Sequence, residues 1–221
     1  MQTDKANQLS ASEKVIGSGD GVAPPRRGRP RTIDPDAMLA RAVEVFWERG
    51  YDGASLDDLT RAMGVSRPTL YAAFGDKRRV FLAAIDAYAA GVGARPLAAF
   101  EAEGDVRTAV RAFLVASIEN NTAKAHPWGC LIGCCASTSA VRVPEVADRV
   151  RAIGRATETA LRSRFERERE AGALGDEPTP AERAALLSDL MNAQAIRARA
   201  GASRRSLLAG LEARAAAVLG P

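Results

Sequence analysis

The stretch from Thr32 to Lys77, TIDPDAMLARAVEVFWERGYDGASLDDLTRAMGVSRPTLYAAFGDK, constrains the chain more than any other. It reads as three short helices with start and stop signals between them. In the first, Asp34 is placed as N-cap, Pro35 at the first helical position and Asp36 in the first turn. Leu39, Ala42, Val43, Phe46 and Trp47 recur every three or four residues and make one apolar face. Phe46, Trp47 and Tyr51 are expected in the core, and Gly50 is the expected stop. The second helix starts at Ser55, with Asp58 three residues on as a capping-box variant, and turns Leu56, Leu59 and Ala62 inward. Gly64 allows a tight turn. The third helix starts at Ser66, takes Pro68 in its first turn, buries Leu70 and Phe74, and ends at Gly75. Asp76 then caps a fourth helix.

Helix, tight turn, helix is the layout of a helix-turn-helix, whose second helix enters the major groove of DNA. The residues left outward or at the helix starts form the expected contact set: Ser55, Ser66, Arg67, Pro68, Thr69, Tyr71 and Lys77. Helix N-termini add free N–H groups for phosphates. Just upstream lies RRGRPR, with Arg26, Arg27, Arg29 and Arg31 and no acidic residue. Such an arm can lie along phosphates or enter a minor groove; a solvated charged linker is the alternative. Residues 1–25 are polar and are expected to be a disordered tail.

The 28 residues GYDGASLDDLTRAMGVSRPTLYAAFGDK, with the helix before them, resemble the DNA-binding domain of TetR/AcrR-type transcriptional regulators. The match rests on the Gly-aromatic end of the first helix, Ser55, the Leu-Ala pattern of the second helix, Leu70-Tyr71, Phe74 and Lys77. Two positions depart from the family pattern. Arg67-Pro68 stands where many members carry a small residue, and Val80 stands where Leu is usual. The resemblance implies an all-α protein with an N-terminal three-helix helix-turn-helix domain and a C-terminal helical domain for effector binding and dimerisation. The division expected is 26–79 for the arm and DNA-binding domain and 80–221 for the rest.

Composition agrees with helix. Hydrophobic residues make up 47%, charged residues 26% and aromatics only 5%, so the core must come from Ala, Leu, Val and Ile. No alternating strand runs occur. The net charge of +4 is spread over 221 residues and says little about a partner. No run approaches a membrane span, the N-terminus has no apolar h-region, and three clustered cysteines are not a secreted disulfide framework. A cytoplasmic protein with no membrane partner is expected.

Beyond residue 80, helices are expected at 80–93, 94–102, 105–123, 130–141, 144–171, 180–199 and 203–219. The last two are amphipathic and could be core. The family resemblance implies that they make a four-helix bundle with the same pair of a second subunit, a homodimer through 180–219. Two half-sites one turn apart need two reading heads. An unidentified small-molecule effector is expected among the helices of 80–171, against Phe100, Phe113, Ser117, Trp128, Cys130 and Leu131.

The stretch HPWGCLIGCC holds His126, Cys130, Cys134 and Cys135. Pro127 and Gly129 start the helix only near Cys130 and leave His126 in a loop. Cys130 then sits at a helix start, a placement that suits a reactive thiol. Close packing as small hydrophobes competes with redox, electrophile or metal sensing. Gly129-Cys130, with Arg-Ala-Gly-Ala-Ser ahead of the last helix, resembles a branch of the family that includes a copper-responsive regulator. Cys134 and Cys135 do not clearly correspond there, so no metal site is carried over and no cofactor is expected. An enzyme is disfavoured, since the chain offers one His, no Ser–His–acid pattern and no phosphate loop after a strand. A helical partner-binding module, or a thiol or metal sensor with secondary DNA binding, is the alternative to a repressor.

Overall fold

A computed structural model describes residues 34–220. The basic arm and the polar tail lie outside the described residues. Among the described residues every regular element is helical.

The helix signals act as read. In α1 (Pro35–Gly53) the Asp34 carboxylate accepts from the Asp36 amide. Gly50 takes φ of 70°, so the helix proper breaks there and only a short turn continues to Gly53. In α2 (Leu56–Met63) Ser55 and Asp58 make both halves of a capping box. Gly64 closes α2 in the left-handed conformation. Ser66 caps α3 (Arg67–Phe74), and Asp76 caps α4 (Lys77–Ala90). Leu59, Leu70, Phe46, Trp47, Val80 and Phe81 are buried together. Burial of each such side chain is worth about 1.5–3 kcal/mol, so this core holds α2 and α3, 8 residues each, which are too short to stand alone.

A short 3-10 turn, Val92–Ala94, leads to α5 (Arg95–Ala102) and α6 (Val106–Thr122). Residues 131–140 do not form one α-helix. Leu131–Ala136 is a π-helix, followed by a single α turn, α7 (Ser137–Ala140). Then come α8 (Pro144–Glu170) and α9 (Pro180–Arg199). The expected last helix is divided. Gly210 sits at φ of 74° between α10 (Arg204–Leu208) and α11 (Leu211–Leu219). The apolar stripe of α11 packs into a second core with Phe100, Phe113, Leu114, Phe165 and Leu187.

The first core does not stop at the helix-turn-helix. It includes Leu131, Cys135 and Ala136 of the π-helix and Val146 of α8. Exposed ion pairs also join the two parts: Arg78 to Glu145 at 2.7 Å, and Arg142 to Asp52. Such pairs contribute about 0–1 kcal/mol each, so the shared apolar core carries most of the attachment. Among the described residues no single helix is long and apolar enough to cross a membrane.

Candidate nucleic-acid interface and effector cavity

α3 presents a continuous outward surface. Leu70 is buried, while Arg67, Pro68, Thr69, Ala72 and Ala73 are exposed and Tyr71 is 45% exposed. A large aromatic left in solvent, with no core role, is available for contact. The Arg67 guanidinium donates twice to Asp57 of α2, at 2.8 and 3.1 Å, which fixes its direction. The Ser55 and Ser66 hydroxyls are occupied as caps; Ser66 also meets the Thr69 hydroxyl at 2.8 Å. What these two positions offer an anion is therefore the exposed helix N-terminus more than a free hydroxyl. Lys77 is half-buried, with Nζ 4.7 Å from the centroid of Tyr51, and burial lowers its pKa. Arg26, Arg27, Arg29 and Arg31 lie outside the described residues.

Behind the head is a cavity of about 500 Å3 between α4, α5, α6, α8, α9 and the π-helix. Phe113, Ser117 and Cys130 line it. The other three expected residues do not. Phe100 is wholly buried in the second core, edge-on to Phe113 and Phe165. Leu131 points into the first core, on the same side of the π-helix as Cys135 and Ala136, about one turn on. Trp128 is 39% exposed and stands outside the cavity. Among the lining residues that sequence reasoning missed are Tyr88, Leu97, Asn120, Asn121, Ile153 and Met191. The pair Asn120-Asn121, buried inside a helix, was the available signal.

The cysteine stretch forms the partition between cavity and head. The Cys130 thiol accepts from the Tyr88 hydroxyl at 3.3 Å and from the Gly133 amide at 3.4 Å. Cys135 faces the other way and donates to the Trp47 carbonyl at 3.4 Å. His126 stacks on Trp47 with ring centroids 4.1 Å apart. Arg199 of α9 donates to the carbonyls of Trp128 and Glu48, at 3.1 and 3.0 Å. The Glu48 carbonyl is one of those freed when α1 breaks at Gly50. Burial pushes the Cys134 thiol up and the Cys135 thiol up to about 11. Among the described residues no three His, Cys, Asp or Glu side chains gather as a metal site.

Residues 38–84 match the family described as bacterial regulatory proteins, tetR family. Over 115 residues the chain is 39% identical to the HTH-type transcriptional repressor ComR of Escherichia coli strain K12, covering 51% of this chain and 55% of ComR. It therefore spans about half the length of that relative. The solved structure of CifR, a TetR family transcriptional regulator, reaches further. It is 32% identical, covers 86% of this chain and 99% of CifR, and superposes with a TM-score of 0.79. The chain belongs to the TetR family.

CifR was solved as a cysteine mutant on 26-base-pair double-strand operator DNA. Escherichia coli NemR, in its reduced form, shares the fold of this TetR-family chain at a TM-score of 0.70 and 19% identity. The family match at 38–84 runs from α1 into α4, so it covers the head and stops short of the cavity.

Proposed function

We propose that this TetR-family chain is a sequence-specific DNA-binding repressor, released from its operator by a small molecule that enters the cavity. The observation that carries it is the exposure of Arg67, Thr69 and Tyr71 on α3, in a chain that covers 99% of the operator-bound CifR at 32% identity. Arg67 and Tyr71 read base edges and phosphates in the major groove, with Pro68 and Thr69 at the helix start. The N-termini at Ser55 and Ser66, together with Lys77, hold phosphates. Arg26, Arg27, Arg29 and Arg31 extend the contact along the backbone or into a minor groove.

A homodimer supplies two heads for a pseudo-palindromic operator. Within 180–219, α9 carries the joint, because α11 spends its apolar stripe inside the chain while Ile196 of α9 is 58% exposed. The cavity is the effector site, with Phe113, Ser117 and Cys130 in its wall. A cysteine-directed signal is a second route. It would act at Cys130, which reaches the cavity, and not at Cys134 or Cys135, whose burial disfavours the thiolate.

The test is fluorescence anisotropy with DNA from upstream of the chain's own gene, against scrambled DNA, at several salt concentrations. Specific binding should fall steeply with salt. Equal affinity for both DNAs would end the repressor reading. Removing residues 1–25 should change nothing, whereas removing 1–31 should lower affinity and flatten the salt slope.

A further inference from the structure

We infer that the occupant of the cavity is an uncharged small molecule, apolar over most of its body and hydrogen-bonded at one corner. That the occupant is an effector rests on the repressor reading above; its chemical class rests on the cavity alone.

The cavity lies in the size range that encloses a drug-sized ligand. Among the described residues that line it there is no Asp, Glu, Lys, Arg or His. Its apolar wall comes from Leu97, Phe113, Val150, Ile153 and Met191. Its polar corner comes from α6, which places Ser117 and Asn121 one turn apart. Both are almost wholly buried. The Asn121 amide donates to the Ser117 oxygen at 3.4 Å, which leaves the Ser117 hydroxyl hydrogen free to donate. Asn120 is anchored by its own bond to the Val92 carbonyl at 2.6 Å. A carboxamide offers both a donor and an acceptor, so the corner suits an amide, ester, ketone or alcohol.

No carboxylate, ammonium, guanidinium or imidazole on this wall can compensate an ion. The arginines that adjoin lining residues in sequence, Arg95, Arg151 and Arg155, are exposed and do not line the cavity, and Arg151 pairs with Asp148. Farther along, Arg149 pairs with Asp86 and Arg199 donates to two carbonyls outside. Tyr88 stays a neutral phenol, because burial raises its pKa. A carboxylate or ammonium entering here would lose its hydration and find no partner.

The test uses two dyes with the same anilinonaphthalene body. N-phenyl-1-naphthylamine is uncharged, and 8-anilinonaphthalene-1-sulfonate adds one sulfonate. Both are titrated by fluorescence into the full-length protein and into Gly154→Phe. A Cβ at Gly154 meets nothing within 4 Å and the residue lines the cavity, so the new ring has room to enter. Ala156→Phe replaces it where Gly154→Phe fails to keep the wild-type melting curve. The uncharged dye should bind roughly 30-fold or more tightly than the sulfonate. The filling variant should weaken the uncharged dye at least about tenfold. Equal or tighter sulfonate binding that the variant abolishes would overturn the inference. So would uncharged-dye binding that the variant leaves untouched. Operator binding is measured on the same samples. Its absence alongside intact dye selectivity removes the repressor and leaves the ligand class; operator binding with the sulfonate preferred does the reverse.

Discussion

The indole N–H of Trp47 donates to the carbonyl of Gly129 at 3.1 Å. The partners are 82 residues apart. Trp47 belongs to the first helix of the head, and Gly129 is the residue before the cavity-lining Cys130. Gly129 is held at φ of 87°, and a Cβ there would lie 3.0 Å from Cys134 Sγ. The site therefore admits glycine on two counts, and the same residue ties cavity to head. Trp47→Phe keeps most of the ring's burial but leaves the Gly129 carbonyl unpaired. It should cost about 1–3 kcal/mol in urea melts. In a chain this long each kcal/mol corresponds to about 2–4 °C in Tm.

Tyr71 contributes to the surface and not to the core. Tyr71→Ala should leave the melting midpoint within about 0.5 kcal/mol of wild type. Its operator affinity, read by anisotropy, should fall by roughly 1–3 kcal/mol. A variant that melts early while binding normally would show that Tyr71 packs and does not read DNA.

The α2 capping box gives a pH dependence. The Ser55 hydroxyl and the Ser55 amide, aided by Arg49, bring the Asp58 carboxyl from its usual 3.8 to about 2. A folded pKa below the unfolded one adds stability that is complete above the unfolded value and is lost as pH falls. The loss should run from 3.8 to about 2. Asp58→Asn should flatten the urea midpoint against pH over that window. At neutral pH, Ser55→Ala should cost about 0.5–2 kcal/mol through the lost cap.

Arg183 is the largest wholly buried side chain among the described residues. It donates to the carbonyls of Val218 at 2.9 Å, Gly175 at 3.1 Å, Glu177 at 3.0 Å, and Leu219. It thereby satisfies the last carbonyls of α11. Arg183→Met leaves them buried and unpaired and should cost about 2–5 kcal/mol. Hydrogen exchange should show amides of 211–219 opening first.

The head was readable because its signals are local. Each N-cap is a short polar side chain acting on an amide two or three residues away, so Asp34, Ser55, Ser66 and Asp76 could be placed from spacing alone. The helical domain gave its elements but not its neighbours. Phe100 and Phe113 look alike in sequence and share the second core, yet only Phe113 also reaches the cavity. Which way an apolar side chain points depends on the helix packed against it, and that is a nonlocal fact.

The cysteine stretch shows the same division most plainly. Pro127 and Gly129 were enough to start the helix near Cys130 and to leave His126 outside it. Only the packed structure made that helix π-form, sent Cys130 to the cavity and Cys135 to Trp47, and carried the head's core into the second half of the chain. Caps and periodicity act within a few residues and so are written in order along the chain. The cavity, its lack of charge and its link to the head arise where segments more than eighty residues apart exclude water together.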